Sequence, residues 1–321
     1  MQLVVHVHDL PMWSLPDDQV DRIRRALPGV EVVCARSADE AASALRTADV
    51  ALAPRMTPEA LATAERLRWV HSTAVGGSWL PLEALAARGI PVTNSRGVHA
   101  EMLAEHAIAL LLAVRRLLPQ AEEARRGRVW AQETLSRVST PRLSASTALV
   151  VGVGAVGTRV ARGLAALGMR VRGVRRRASL PVDGLTDIVT LDAIDRYLPD
   201  ADAVVLALPH TAETGVVLTR ERLELLRPSA VVVNVARGSL VDEQALADLL
   251  LTGRIGGAGL DVFAREPLPA DSPLWTTPRT MLTPHTGAFD GDYWTPAVDC
   301  FLDHWRDFVE GRPLANQVDG Y

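Results

Sequence analysis

Three side chains that could act together on a carbonyl lie far apart in this chain, each just past an apolar run that reads as a buried strand. Arg237 follows Val233-Asn234-Val235-Ala236, Glu266 follows Leu260-Asp261-Val262-Phe263, and His285 follows Leu282-Thr283-Pro284. The carboxyl ends of parallel strands share one sheet edge, where open α/β sheets bind their ligands. A histidine there donates a proton near neutral pH. A neighbouring carboxylate favours its protonated form. An arginine supplies the planar fork that grips the carboxylate and carbonyl of a 2-oxo acid. Singly, each has a plainer reading: a surface arginine, an exposed glutamate before proline, a loop histidine. Together they make an acid, the group that tunes it and an anion clamp, fitted to reduction of a carbonyl by hydride transfer.

Such a reaction needs a hydride source, and the middle of the chain offers a place for one. The run Leu149-Val150-Val151 breaks into Gly152-Val153-Gly154-Ala155-Val156-Gly157 and continues as a helical pattern from Thr158 to Leu167. Strand, glycine turn and helix are the context that G-x-G-x-x-G requires to bind a dinucleotide. Gly152 permits the turn, Gly154 lets a pyrophosphate approach, and Gly157 lets the helix lie close to the strand. Phosphate then rests on the free N–H groups of the first helical turn, at Ala155 and Val156. The motif alone is weak, because any sharp strand-to-helix turn can use glycines for steric reasons. The next strand ends Val174-Arg175-Arg176-Arg177, where an acidic residue would hold the adenosine ribose. Guanidinium groups bind a 2′-phosphate that a carboxylate would repel, so Arg175 and Arg176 favour NADP(H), with NAD(H) possible. A solvated basic turn is the alternative.

These residues need elements to hold them. From the N-terminus, strand-like and helix-like stretches alternate in βαβ rhythm: Gln2 to Asp9, Asp17 to Leu27, Val30 to Ala35, Ala38 to Arg46, Val50 to Ala53, Pro58 to Ala64 and Trp69 to Ser72. The loop that follows, with Val75 and Gly76, offers N–H groups to a carboxylate or is a plain connection before a helix at Pro81 to Ala87. A short strand at Gly89 to Asn94 precedes one long amphipathic helix, Val98 to Leu118, and a polar, turn-rich stretch from Arg125 to Arg142. After the glycine motif the spacing predicts strands at Met169–Val174, Ala203–Leu208, Ala230–Asn234, Gly257–Asp261 and Met281–Thr283. Helices are expected between them at Asp192–Leu198, Arg220–Leu225 and Asp242–Thr252.

The 321 residues suit two domains, and 48% hydrophobic with 22% charged residues is the balance of a soluble globular protein. A net charge of -4 without a basic block argues against nucleic acid or an anionic membrane as partner. The apolar run Ala107 to Val114 is far too short for a membrane span. Two cysteines, Cys34 and Cys300, and a start in a strand rather than a leader point to a reducing cytoplasm. His6 and His8 share one strand face, but no third ligand lies near in sequence, and no metal is assigned. All 34 basic residues other than histidine are arginine, which excludes Schiff-base chemistry and a P-loop lysine.

The segments Asn234-Val235-Ala236-Arg237-Gly238-Ser239-Leu240-Val241-Asp242, Gly259-Leu260-Asp261-Val262-Phe263-x-x-Glu266-Pro267-Leu268 and Thr283-Pro284-His285 resemble the D-isomer-specific 2-hydroxyacid dehydrogenases. The run Pro267 to Trp275 and the ending Gln317 to Tyr321 look most like the NADP-preferring glyoxylate/hydroxypyruvate reductase branch. The resemblance implies that Arg237 binds the 2-oxo acid, that Glu266 pairs with His285, and that His285 is the acid/base. It places Asp261 near the nicotinamide carboxamide and Val75 and Gly76 on the substrate carboxylate. Leu208, Pro209 and Thr214 match the cofactor wall, and Val235, Ala236 and Gly287 complete the cofactor contacts. It further implies an α/β protein of two Rossmann-like, doubly wound parallel-sheet domains, the first discontinuous: residues 1–97 and 286–321 for substrate, 98–285 for the dinucleotide. A homodimer is expected. Arg175 stands where many members have aspartate, and Phe289 to Trp294 is more aromatic than usual, which means either a reshaped pocket or core packing. Competing readings are a dinucleotide-sensing, corepressor-like scaffold, or a dehydrogenase of 3-phosphoglycerate, formate or phosphite. No room is seen for a regulatory C-terminal domain.

Overall fold

The computed structural model describes residues 1–7, 13–74, 79–138, 140–176, 182–211, 213–289 and 291–318. The chain forms two units, Met1–Val98 with Asp290–Tyr321, and His99–Phe289.

Unit 1 is a five-stranded sheet of β1 (Gln2–Val5), β2 (Glu31–Cys34), β3 (Val50–Leu52), β4 (Trp69–Ser72) and β5 (Val92–Asn94). The strands are parallel in the order β2-β1-β3-β4-β5. Its helices are α1 (Asp17–Ala26), α2 (Ala38–Leu45), α3 (Pro58–Thr63) and α4 (Leu82–Ala87). Ser37 and Thr57 cap α2 and α3 by accepting the N–H groups of Glu40 and Ala60. Successive strand residues point to opposite faces, so Val4 joins a core with Ala51 and Val70, while Leu3 and Val5 join another with Trp69. Both faces are buried, as parallel sheets require.

That second core is closed by the end of the chain. After unit 2, the chain re-enters unit 1 as the last helix, Trp294–Val309, whose Phe301 stacks on Trp69 with ring centroids 5.5 Å apart. Beyond it, Val318 N–H donates to Val92 O at 2.8 Å and Asn94 N–H to Asn316 O at 3.1 Å. Trp294 packs against the same core, and Tyr293 meets Trp13 edge-on at 5.5 Å. For Trp294, core packing accounts for a ring in the unusual aromatic run.

Unit 2 begins with α5 (Ala100–Arg115), α6 (Leu118–Arg126) and α7 (Gln132–Ser136). Its seven-stranded sheet holds β6 (Thr147–Val151), β7 (Arg170–Val174), β8 (Asp187–Val189), β9 (Ala203–Leu206), β10 (Val231–Asn234), β11 (Gly257–Leu260) and β12 (Thr280–Leu282). All pairings are parallel, in the order β12-β11-β10-β9-β6-β7-β8. The order reverses at β6, the switch point where doubly wound sheets open a crevice. Helices α8 (Ala155–Ala166), α9 (Arg220–Leu225) and α10 (Glu243–Leu251) follow β6, β9 and β10, and the last helix is then α11.

Four local expectations differ from what is observed. The single helix expected over Val98 to Leu118 ends at Arg115, because Leu117 is left-handed (φ 58°) and Pro119 at the second position of α6 has no N–H for the ladder. The polar stretch after it holds α6 and α7, neither with a buried residue, supported by Glu122 bonds to Arg125 and Arg126 at 2.6 to 3.0 Å and by a Glu133–Arg137 pair. The helix expected at Asp192 to Leu198 is a 3-10 turn at Leu191–Arg196. Strand β8 carries no apolar alternation and was not anticipated.

Candidate active site

The glycine turn follows β6. Gly152 has φ 98°, a region closed to most side chains, and a Cβ there would lie 2.5 Å from Leu208 Cβ. Gly154 is different: its φ is -98°, and an added Cβ would meet nothing within 4 Å. Backbone geometry and protein packing both leave room for a side chain at Gly154, so neither explains a glycine; close approach of a ligand to the backbone does. No side chain caps α8, which leaves its first N–H groups, at Ala155 and Val156, without a side-chain acceptor. The residues fit a dinucleotide pyrophosphate.

The carboxyl ends of β10, β11 and β12 are neighbours, with Asn234 beside Leu260 and Leu260 beside Leu282. Arg237, Glu266 and His285 hang from these three ends. His285 Nδ1 lies 2.7 Å from Glu266 Oε2. Glu266 is fixed through its other oxygen, which accepts the Phe263 N–H at 3.0 Å. With Nδ1 committed to a carboxylate, Nε2 is the nitrogen left for substrate.

His285 itself is left-handed (φ 55°), an uncommon state for a non-glycine residue. Asp261 holds it there. The His285 N–H donates to Asp261 O at 2.8 Å. The Asp261 carboxylate accepts Thr283 Oγ1 at 2.6 Å, Thr286 N–H at 2.9 Å and Gly287 N–H at 3.0 Å. His106 of α5 lies 3.4 Å from the same carboxylate and 2.8 Å from Thr283 Oγ1. The threonine hydroxyl gives its proton to Asp261, so His106 Nε2 is the donor to Thr283. Burial of Asp261 opposes its ionisation, yet the bonds from His106, Thr283, Thr286 and Gly287 outweigh burial and hold the carboxyl below the usual carboxylate range.

The Arg237 loop touches the Glu266 loop. A Cβ on Gly238 would sit 1.8 Å from the Phe263 carbonyl carbon, so only glycine lets the two backbones meet. Asn234 shapes the turn before it, accepting the Ala236 N–H at 3.0 Å and donating to Arg237 O at 2.9 Å. The Glu243 carboxylate, at the start of α10, accepts the Ala264 N–H at 2.5 Å. Burial pushes the Glu243 carboxyl up; the Ala264 N–H counters this and the charge of Glu266 adds to it.

Residues 108–287 match the NAD-binding domain of the D-isomer specific 2-hydroxyacid dehydrogenases. The chain belongs to that family. It is 30% identical over 308 residues to glyoxylate/hydroxypyruvate reductase B of Pectobacterium carotovorum, covering 95% of this chain and 96% of that one. It is 37% identical over 268 residues to the D-3-phosphoglycerate dehydrogenase of Mycobacterium bovis, covering 84% of this chain but 47% of the relative. The chain thus spans about half the length of the phosphoglycerate dehydrogenases it matches. A crystal structure of a family member from Xanthobacter autotrophicus in complex with NADPH and MES superposes with a TM-score of 0.82 at 30% identity, covering 99% of this chain and 98% of that one.

Within this family framework, the structure sets Leu208 against the glycine turn, and Thr214 accepts the Thr211 N–H at 2.8 Å. Pro209 O lies 3.4 Å from Thr214 Oγ1, and Val235 and Ala236 line the buried end of β10. Arg175 follows β7, and its N–H donates to Val189 O at 3.0 Å. Arg176 lies 3.4 Å from Glu213. Val75, Gly76 and Arg177 lie outside the described residues. Asp261 is 1% exposed, with its carboxylate spent on the His285 turn. Spacing gave no hint of Glu243 or His106, and Thr283 entered only as part of the Thr283-Pro284-His285 segment.

Proposed function

We propose that this chain is an NADPH-dependent 2-oxo acid reductase, acting on a small substrate of the glyoxylate or hydroxypyruvate kind and forming the D-2-hydroxy acid. The observation that carries the reading is the 2.7 Å His285–Glu266 pair, whose glutamate sits on a loop in close backbone contact with that of Arg237. In this reading the nicotinamide cofactor supplies the hydride. Arg237 binds the substrate carboxylate and draws electron density from the carbonyl. His285, oriented by Glu266 at Nδ1, gives the Nε2 proton to the carbonyl oxygen. In the oxidative direction it takes that proton back.

Gly154, Ala155 and Val156 would cradle the pyrophosphate, and Arg175 and Arg176 the 2′-phosphate. Among the described residues no ion pair engages Arg175, whereas Arg176 has Glu213 beside it, so Arg175 is assigned the larger share. The complex of the Xanthobacter relative with NADPH supports this cofactor. A homodimer is part of the proposal, on account of the exposed apolar side chains Leu118, Val129 and Trp130 (54%, 62% and 88%) around α6 and α7. No helix among the described residues is long and apolar enough to cross a membrane.

The test is nucleotide oxidation with glyoxylate, hydroxypyruvate and larger 2-oxo acids, using NADPH and NADH separately. Turnover of the small acids with NADPH is expected. The double variant Arg175→Asp, Arg176→Ala should shift preference toward NADH by roughly tenfold or more, the loss of one or two charge-assisted bonds. No turnover across the panel would overturn the reading. A second reading, oxidation of 3-phosphoglycerate, has the 37% identity to the Mycobacterium enzyme behind it and is tested with that compound and NAD.

A further inference from the structure

Unit 1 holds a cluster of donors that the reaction does not use. His71 on β4 and His304 on α11 turn the same ring nitrogen toward each other, Nδ1 to Nδ1, at 3.4 Å. Cys300, one helical turn before His304, places Sγ 3.9 Å from His304 Nδ1, and all three donor atoms lie within 4.8 Å of one another. His71 is 0% and His304 5% exposed, and Cys300 is partly exposed.

A direct hydrogen bond explains this arrangement poorly. An N–H bond has its usual length near 2.9–3.0 Å, and 3.4 Å is at the long limit. His71 Nδ1 already has a better partner in Thr93 Oγ1 at 2.8 Å. A tetrahedral Zn2+, with Zn–N about 2.0–2.1 Å and Zn–S about 2.3 Å, sets its nitrogens ~3.3 Å apart and nitrogen from sulfur ~3.5 Å. Two of the three edges, 3.4 and 3.9 Å, come near those values, and the third lies within 4.8 Å. The far nitrogen of His71 is also held, 3.2 Å from Ser95 Oγ, which is the outer contact that fixes a ligating imidazole. Cys300 and His304 stand four residues apart on one helix face, as paired helical ligands do.

We propose that His71, Cys300 and His304 form a site for a borderline-soft divalent cation, Zn2+ by its ligand set, joining the last helix to β4. With three protein donors, a bound water would take the fourth position of the tetrahedron. Sequence spacing does not bring these two histidines together, since 233 residues separate them, and only His6 and His8 stand out there as paired ligands. The site belongs to unit 1, the candidate active site to unit 2, and neither reading depends on the other.

The test uses the purified full chain, stripped with a chelator and kept reduced, titrated with Co2+ as a spectroscopic stand-in. One equivalent should give thiolate-to-cobalt charge-transfer absorption in the near ultraviolet, and Zn2+ should abolish it by competition. Cys300→Ser should lose that absorption, whereas Cys34→Ser should keep it. Ser95→Ala should weaken cobalt affinity roughly tenfold to a hundredfold without changing the spectrum. Zn2+ should raise the melting temperature of the parent chain and not of Cys300→Ser. Should His304→Gln fail to fold, the near-isosteric Cys300→Ser decides alone. Absence of the charge-transfer band, its persistence in Cys300→Ser, or its loss in Cys34→Ser would overturn the proposal.

Discussion

A histidine bonded to a carboxylate through one nitrogen is oriented for chemistry through the other, and that division of labour fixes what each substitution should do. His285→Gln keeps side-chain polarity but has no transferable proton, so turnover should fall roughly 10²–10⁴-fold with nucleotide affinity unchanged. A comparable fall in nucleotide affinity, measured by fluorescence titration, would mean that the residue serves binding instead. Asp261→Asn probes the support beneath it. One carboxylate oxygen becomes an NH2 group that faces an N–H donor in either orientation, Thr286 at Oδ1 or Gly287 at Oδ2, so a loss of about 1–3 kcal/mol of stability is expected. The pH dependence has a definite sign. A carboxyl whose folded pKa is depressed gives stability that is complete above its unfolded value and lost as pH falls through the folded one. The gap between parent and Asp261→Asn should therefore narrow on acidification below about pH 4, as followed by denaturant melts. Each member of the trio stands out in the sequence because it follows an apolar, strand-like run. Asp261 was legible only through resemblance, as a cofactor contact, and neither its bond from Thr283 nor the His106–Thr283 bond behind it was legible at all. Side-chain contacts across 22 and 177 positions leave no periodic trace.

At the level of elements, the strands of both sheets were readable because parallel strands are apolar on both faces. What escaped was structure without that signature. Helices α6 and α7 bury no residue, so no apolar stripe marks them; salt bridges one turn apart hold them instead. Strand β8 is a three-residue edge whose first position is exposed. The junction of α5 with the sheet rests on Arg115, 3% exposed, whose guanidinium donates to Pro141 O at 2.8 Å, Ser146 Oγ at 2.8 Å and Asp202 O at 3.2 Å. Replacing it with methionine keeps the length and removes all three bonds. Asp202 O retains the Val231 N–H and Ser146 retains Arg142 O, so one carbonyl, Pro141 O, bears most of the damage. The expected cost is about 2 kcal/mol, read as a lowered denaturant midpoint with unchanged slope. A change below half that size would show that the apolar face of α5 suffices to dock it.

For the whole molecule, the α6 and α7 segment poses a question of surface chemistry. Trp130 is 88% exposed, and with Val129 and Leu118 it adds large apolar side chains to a segment that buries none of its helical residues. Single exposed apolar residues are ordinary, but several along one segment mark a surface that meets another chain. A second copy is the simplest partner, since closed two-fold pairing lets one patch cover itself. Sedimentation equilibrium should then give a mass near twice 34.6 kDa. Val129→Asp with Trp130→Asp sets like charges against one another across a two-fold interface, and should yield the single-chain mass. Because neither residue is buried, circular dichroism of the variant should match the parent. A parent that sediments as one chain would remove the dimer while leaving the trio and the glycine turn untouched, since every bond described for them lies within a single unit of a single chain.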